Sequence, residues 1–191
     1  MYPSHCIAFA GTELLAKGAL VDVVRAVKAA LDKGCERSIA LLDAETSKPV
    51  EINFIGTEED VLQRIPRAPG RSAGRPKLGV IPREVTLLPR HWEWLARQPG
   101  GASVALRKLV EHASRDAAQA DTRREARDAA YRFMHELMGD APGFEEASRA
   151  LFAGDGERFR SQVADWPRDV REHLLELAAP AFGAGPVASE D

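Results

Sequence analysis

The sequence of 191 residues has few of the residue types that mark secreted, membrane-spanning or metal-binding chains. Two cysteines, Cys6 and Cys35, are too few for a disulfide framework and lack the companions that a structural zinc needs. We expect two half-buried thiols, with a disulfide or redox pair between them as the alternative. No apolar run approaches the roughly 20 residues needed to cross a bilayer. The sequence therefore predicts no contact with a membrane.

A secretion signal is also missing at the start of the sequence. The opening residues, Met-Tyr-Pro-Ser-His-Cys-Ile, have neither a basic beginning nor a long apolar run. Together with the low cysteine count, this predicts a cytoplasmic protein. Hydrophobic residues at 45% and charged residues at 29% are typical of globular proteins, and the length suffices for one large or two small domains.

Motifs for catalysis are absent as well. The chain has no metalloprotease histidine pair, no nucleophile elbow and no phosphate loop, and Gly154-Asp155-Gly156-Glu157 is too short for a calcium loop. Its five histidines are scattered along the chain: His5, His91, His112, His135 and His173. We therefore predict that the protein is not an enzyme and uses no cofactor or metal.

What the chain does have is an uneven distribution of charge. The whole sequence carries a formal net charge of -3, yet Arg64 to Arg115 contains eleven Lys or Arg residues against three Glu. Both flanking regions are acidic. Clustered cations repel one another and need a counter-charge, so a basic middle of this kind is typical of a surface that binds a polyanion such as nucleic acid.

The periodicity predicts an α+β fold whose small N-terminal sheet unit precedes a basic linker and a mainly helical region. In residues 1–65 the expected order is strand, strand, helix, strand, strand, helix, because short β-branched and apolar runs alternate with helical spacing. The predicted elements are strands at Cys6–Ala10, Glu13–Lys17, Ser38–Asp43 and Val50–Ile55, a helix from Leu20 to Leu31 ended by Gly34, and a helix that Thr57 caps.

The remaining boundaries follow from composition. Residues 66–82, the basic arm, contain prolines and glycines with no apolar period, which predicts a linker. A strand at Glu84–Leu88 and two helices, with Pro89 in the first helical position, are predicted within residues 83–115. A helical region at 116–179 and a disordered tail at 180–191 complete the chain.

The arm contains Gly74-Arg75-Pro76-Lys77, with Arg71 upstream. This stretch resembles the core of an AT-hook, in which an extended Gly-Arg-Pro segment lies in the narrow minor groove of A·T-rich DNA. The proline-arginine pair that usually precedes the glycine is replaced here by Ser72-Ala73. A solvated linker is the alternative interpretation of the arm.

Residues 83–113 resemble the ribbon-helix-helix fold of small bacterial repressors. The shared pattern is a strand ending in Leu88-Pro89, a short helix, a glycine-containing turn and a second helix. The resemblance implies an obligate homodimer, in which the strand pairs with its twin and enters the major groove. One departure concerns Val85 and Leu87, which take the outward strand positions but are apolar and could touch only thymine methyl groups. Trp92 and Trp94 are expected to pack between helices or at a dimer contact.

The chain as a whole, from Ile7 to Leu177, is similar to an uncharacterised family of bacterial proteins. The stretches that carry this resemblance are Gly-Arg-Pro-Lys-Leu-Gly-Val, Arg-Glu-Val-Thr-Leu-Leu-Pro-Arg-His-Trp-Glu-Trp-Leu and Asp165-Trp166-Pro167-Arg168. The resemblance implies a bacterial origin and a shared architecture, but no activity.

These observations lead to the hypothesis of a DNA-binding, transcription-regulating homodimer whose partner is double-stranded, A·T-rich DNA. The residues expected to contact DNA are Arg71, Arg75, Lys77, Arg83, Arg90, Arg107 and Lys108, with Arg67 extending the positive surface. The alternative hypothesis is a non-enzymatic protein-interaction module in which the arm is only a tether.

Overall fold

The computed structural model describes residues 2–65, 81 and 83–183, and its contacts divide the chain into two compact units. Unit 1 combines Met1–Pro66 with Asp121–Asp191, whereas unit 2 is Arg67–Ala120. The division differs from the segments expected from the sequence, because the N-terminal sheet and the C-terminal helices form one unit. Unit 2 is thus an insertion between the two halves of unit 1.

The fold is α+β, as the sequence predicted. Its strands are β1 (His5–Ala10), β2 (Glu13–Ala19) and β3 (Ile39–Asp43). Its α-helices are α1 (Leu20–Asp32), α2 (Glu58–Gln63), α3 (Pro89–Ala96), α4 (Gly101–Met138), α5 (Phe144–Ala153), α6 (Gly156–Gln162) and α7 (Arg168–Ala178), followed by a 3-10 helix at Ala179–Phe182.

The three strands form an antiparallel sheet in the order β2-β1-β3. The central strand β1 carries apolar residues at consecutive positions, and all of Cys6–Ala10 is buried. Because neighbouring side chains of a strand point to opposite faces, such a run has both faces covered. The β1–β2 hairpin turns at Gly11, whose φ of 60° lies in the left-handed region that glycine adopts freely.

Different helices cover the two faces of the sheet. Cys6 and Ala8 belong to a hydrophobic cluster with α1 and α2, whereas Ile7 and Phe9 belong to a second cluster with α4 to α7. In the second cluster the rings of Phe9 and Phe133 meet edge to face at 5.5 Å. The C-terminal helices therefore complete the core that the N-terminal strands begin.

Local signals in the sequence position α1 and α2 correctly. The buried face of α1 includes Leu20, Val23, Val24 and Val27, and Gly34 follows the helix with a φ of 81°. Helix α2 begins with a capping box. The Thr57 side chain accepts a hydrogen bond from the Asp60 N–H, while the Asp60 carboxylate accepts one from the Thr57 N–H.

The strand predicted at Val50–Ile55 is wrong. The Val50 N–H donates to the Leu41 carbonyl at 2.8 Å, but the pairing with β3 goes no further in the described residues. The carbonyls beyond it accept hydrogen bonds from side chains instead. Tyr2 donates to the Glu51 carbonyl, and Arg64 Nη1 donates to the carbonyls of Asn53 and Ile55. These side chains take the place of a neighbouring strand.

The C-terminal region also departs from the prediction in two places. The two helices expected on either side of residue 116 are one continuous helix, α4. The predicted tail starts too early, because Ala179–Phe182 form a 3-10 helix and the Phe182 ring lies 5.4 Å from that of Phe159. The tail residues 184–191 lie outside the described residues.

Unit 2 contains α3 and the first part of α4. Pro89 is at the start of α3, as predicted, but residues 83–88 form no strand. A strand requires a hydrogen-bonded neighbour, and the resemblance to the repressors would have to supply that neighbour from a second chain. The predicted arm lies outside the described residues apart from Ile81.

Candidate nucleic-acid interface

Four of the seven predicted DNA-contacting residues lie in the described part of unit 2. Arg83 precedes α3 in an irregular segment, Arg90 is in the first turn of α3, and Arg107 and Lys108 are consecutive residues on α4. All four side chains are exposed. The other three predicted residues, Arg71, Arg75 and Lys77, lie outside the described residues.

The four cations are not neutralised by carboxylates of the described chain. Arg90 Nε lies 3.4 Å from the ring nitrogen of His91, and Arg107 Nε donates to the Ser103 carbonyl at 3.2 Å. None of the four forms an ion pair among the described residues. Arg115, at the end of the basic stretch, is different because it pairs with Glu111 at 3.0 Å.

The helix N-termini of the two units differ in whether an acidic residue lies in the first turn. Neither α3 nor α4 has an acidic residue in its first turn. Among the described residues, each of the five α-helices that begin in unit 1 has at least one, the first residue of each set being Asp22, Glu58, Glu145, Glu157 and Asp169. A helix N-terminus carries a partial positive charge. The described part of unit 2 therefore adds two uncompensated helix ends to its free cations.

A tight turn positions the two helices of unit 2. Gly100 and Gly101 have φ angles of 84° and 74°, and a Cβ atom at Gly100 would lie 3.1 Å from the Val104 side chain. Only glycine fits a left-handed position with so close a neighbour. The turn allows Leu95 of α3 and Ala105 of α4 to be buried, with exposed fractions of 3% and 8%.

Much of the apolar surface of unit 2 remains accessible. Leu95 and Ala105 are the buried apolar residues of its described part. Trp92 and Trp94, expected to pack against other groups, are 42% and 47% exposed within the single chain. The further exposed large apolar residues in the described part of unit 2 are Ile81, Val85, Leu88, Leu109 and Val110.

A buried histidine in unit 1 was missed as a notable group by the sequence analysis. His173 of α7 is 6% exposed, and its ring meets that of Phe133 edge to face at 4.8 Å. Neither ring nitrogen has a hydrogen-bond partner among the described residues. Burial, with the nearby Lys17 ammonium, lowers the pKa of His173 to about 4. The sequence did offer a sign of this burial, because the helical spacing from Val170 and Leu174 places His173 beside the apolar face of α7.

The groups around His173 form an ion pair at the surface. Lys17 of β2 and Glu176 of α7 meet at 2.5 Å, and Glu176 Oε2 lies 3.6 Å from His173 Nδ1. Burial alone would raise the pKa of Glu176, but the hydrogen bond and charge of Lys17, together with the interaction with His173, outweigh it, so the net shift is downward. This arrangement ties α7 to β2.

The two cysteines are free thiols and not a disulfide. Cys6 is buried in the sheet, and burial together with the charge of Asp43 raises the pKa of its thiol to about 11. At neutral pH it is therefore protonated and a poor nucleophile. Cys35 is half-buried and interacts with Arg37.

In residues 2–65, 81 and 83–183, no group of three or more His, Cys, Asp or Glu side chains is arranged to hold a metal ion. No helix in the same residues combines the length and the apolar character that a membrane span requires.

Fold and surface together define an α+β protein with a basic helical unit inserted into it. Residues 5–178 match the family described as an uncharacterised protein conserved in bacteria, DUF2239. Because the match covers most of the sequence, the chain belongs to this family, and the resemblance to an uncharacterised bacterial family is confirmed. No curated protein and no solved structure matches the chain.

Proposed function

We propose that the protein binds duplex DNA through its basic arm and unit 2, and that it regulates transcription in this way. The observation that carries the proposal is that Arg83, Arg90, Arg107 and Lys108 are exposed and without carboxylate partners in the described chain. The arm residues Arg71, Arg75 and Lys77 would add contacts to the minor groove and the phosphates.

Electrostatics favours a polyanion as the partner. Exposed cations on one small unit repel one another, and the repulsion is relieved when a phosphate backbone supplies the counter-charge. The uncompensated N-termini of α3 and α4 have the same sign of potential and suit phosphate groups. Phosphate contacts alone carry no sequence code, so we expect a preference for the shape of A·T-rich DNA.

A homodimer formed through unit 2 is part of the proposal. The accessible Val85, Leu88, Trp92, Leu109 and Val110 are large apolar side chains on a unit whose described part buries only Leu95 and Ala105. A second copy would cover such side chains, and the resemblance to ribbon-helix-helix repressors would then also provide a pairing partner for residues 83–88. The AT-hook resemblance of the arm belongs to the same proposal.

Fluorescence anisotropy with labelled duplexes at several salt concentrations tests DNA binding. Each neutralised phosphate contributes about -0.9 to the slope of log affinity against log salt. Replacing Arg107 and Lys108 with alanine is expected to weaken binding to all sequences and to make the slope shallower by about one per lost contact. The arm variant Arg75→Ala with Lys77→Ala is expected to do the same and to reduce the preference for A·T-rich duplexes.

Arg168→Ala combined with Arg158→Ala, whose guanidinium pairs with Glu146 at 2.6 Å, is the matched control for the loss of two charges. Arg168 is exposed on α7 and pairs with Glu172 at 2.7 Å, so its loss changes the net charge without removing a free cation of unit 2. We expect this variant to bind like the wild type. Equal salt slopes for the wild type and the Arg107, Lys108 variant would refute the assignment of these residues.

A protein-interaction module is the second candidate, and the exposed apolar side chains of unit 2 favour it. Aromatic residues and arginine are also typical of protein interfaces. In this case unit 2 would bind another protein, the arm would serve as a tether, and the chain would remain non-enzymatic. Absence of duplex binding at low salt, with anisotropy unchanged for random and A·T-rich sequences, would favour this candidate over the first.

A further inference from the structure

The outer edge of β3 borders a cavity of about 710 Å³ in unit 1. This volume lies within the range of roughly 300–1,000 Å³ that is usual for ligand pockets. The cavity lies between β3 and the segment 49–54, at the place where the pairing of these two segments stops after Val50. The missing pairing therefore leaves a gap alongside the strand.

Backbone groups of β3 face this gap without partners. The Ser38 carbonyl points towards β1 and accepts a hydrogen bond from the Gly11 N–H. The Leu41 carbonyl points to the outer side of the sheet and accepts one from the Val50 N–H. The backbone N–H and carbonyl groups of successive strand residues point alternately to the two sides of the strand, so those of Ile39 point outward like those of Leu41. In the described chain no hydrogen bond from the outer side reaches the Leu41 N–H or the Ile39 N–H and carbonyl.

The walls of the cavity are apolar and its charged groups are acidic. Leu31, Ile52 and Phe54 supply apolar surface, while Glu51 and Glu136 are its charged lining residues. Neither carboxylate forms an ion pair in the described chain. An unpaired strand edge between apolar walls and carboxylates suits an extended chain with apolar and basic side chains.

We propose that this groove binds an extended segment of a partner protein, in which apolar residues alternate with lysine or arginine, as an added strand on β3. The segment would exchange hydrogen bonds with Ile39, accept one from the Leu41 N–H, place its apolar side chains against Leu31 and Phe54, and pair its cations with Glu51 and Glu136. This proposal does not depend on DNA binding, because all the residues that form the groove belong to unit 1.

A short blocked peptide of alternating lysine and valine is a direct probe. Added to the full-length protein, it is expected to bind saturably and to slow the hydrogen exchange of the Ile39 and Leu41 amides in proportion to occupancy. The same peptide methylated on alternate backbone nitrogens is expected to lose this binding in one of its two methylation patterns, since one edge of the added strand loses its donors.

Charge is tested by the double variant Glu51→Gln and Glu136→Gln. Because exposed ion pairs contribute modestly, we expect the peptide to bind roughly threefold to tenfold more weakly. The control is Glu59→Gln with Glu145→Gln, two exposed carboxylates outside the groove, which is expected to leave binding unchanged.

Ile39→Pro tests the backbone contact between the peptide and β3 and is expected to weaken peptide binding. Proline removes an outward-facing N–H and is tolerated at a sheet edge. The proposal is overturned if the peptide leaves the exchange of both amides unchanged at saturation. It is also overturned if both methylated peptides bind as tightly as the parent peptide. The same holds if the Glu51, Glu136 variant binds the peptide as tightly as the Glu59, Glu145 control. These measurements use no DNA, so their failure is distinct from failure of the proposed function.

Discussion

Units 1 and 2 differ in how far their charged groups are paired and their large apolar side chains are buried. Unit 1 compensates the N-termini of its α-helices with its own carboxylates and joins distant elements by ion pairs, such as Arg25 with Glu58 and Lys17 with Glu176. It also buries large side chains, including Phe9, Phe133 and Phe159. The described part of unit 2 leaves four predicted DNA-contacting cations unpaired and keeps both tryptophans accessible. The contrast indicates that unit 1 encloses its hydrophobic core, whereas the described part of unit 2 leaves apolar and cationic side chains accessible.

The strongest test of this contrast removes an aromatic ring from each unit. Phe133→Ala creates a cavity in the core of unit 1, so we expect the free energy of unfolding to fall by about 3–5 kcal/mol. Trp94→Ala, at a half-exposed position of unit 2, is expected to cost much less in the isolated chain. Urea denaturation followed by circular dichroism measures both. Similar losses for the two variants would contradict the comparison.

A second test uses pH to probe the core of unit 1. Burial keeps His173 neutral, with a pKa of about 4 against an ordinary value of 6.5. Between these values the unfolded chain binds a proton that the folded chain does not, so this group's contribution is intact above pH 6.5 and lost as the pH falls towards 4. The loss is at most about 3 kcal/mol.

Urea denaturation at several pH values between 7.5 and 4 measures this effect. His173→Phe keeps an aromatic ring against Phe133 and removes the titration, so its stability should depend less on pH in this window. Lys17 and Glu176 face the histidine, and the pKa of Glu176 is lowered from its ordinary value, so this carboxylate stays charged in the upper part of the window. A wild type and a His173→Phe variant with the same pH dependence would exclude His173 as the cause.

A smaller effect is expected for self-association through unit 2. Val110, 65% exposed on α4, is expected to lie in the proposed dimer contact, and Val110→Lys would place a charge there. We expect the dimer to dissociate about tenfold more readily, which is close to 1.4 kcal/mol. Sedimentation equilibrium measures the change. Phe152→Lys, at a half-exposed apolar position of unit 1, should have no such effect.

The smallest effect concerns the helix ends. Arg90→Glu places an acid in the first turn of α3, which we expect to stabilise the helix by about 0.5 kcal/mol and to weaken DNA binding at the same time. Arg97→Glu makes the same charge change at the C-cap of α3, where an acid is unfavourable. Thermal unfolding measures the stability of the two variants, and fluorescence anisotropy measures their DNA binding, so the two effects are separated. Tighter DNA binding by Arg90→Glu would contradict the proposed function.

Elements fixed by nearby residues were predictable from the sequence. The capping box of Thr57 and Asp60 and the position of Pro89 at the start of α3 depend on neighbours within one helical turn. The continuity of α4 was also recoverable, because residues 102–138 contain neither glycine nor proline. The consecutive apolar residues of β1 likewise indicated the strand predicted at Cys6–Ala10.

Features that depend on distant contacts were not predictable in this way. Val50–Ile55 has the alternation of a strand, yet Tyr2 and Arg64 take its carbonyls, and nothing local in the segment indicates this. The groove beside β3 follows from that same interruption. The joining of the N-terminal sheet to the C-terminal helices requires Phe9 to meet Phe133, a contact between residues far apart in the chain.

Because unit 2 is inserted into unit 1, the two pieces of unit 1 hold each other without relying on the peptide chain between them. A protein severed once within residues 66–80 would therefore keep its two fragments associated, as long as Ile7 and Phe9 remain against α4 and α7. The fragments would migrate as one species in a native gel and part only in denaturant. Produced separately, the C-terminal fragment would lack Ile7, Phe9 and Leu42 of its hydrophobic cluster, so co-expression is the route to an intact two-piece protein.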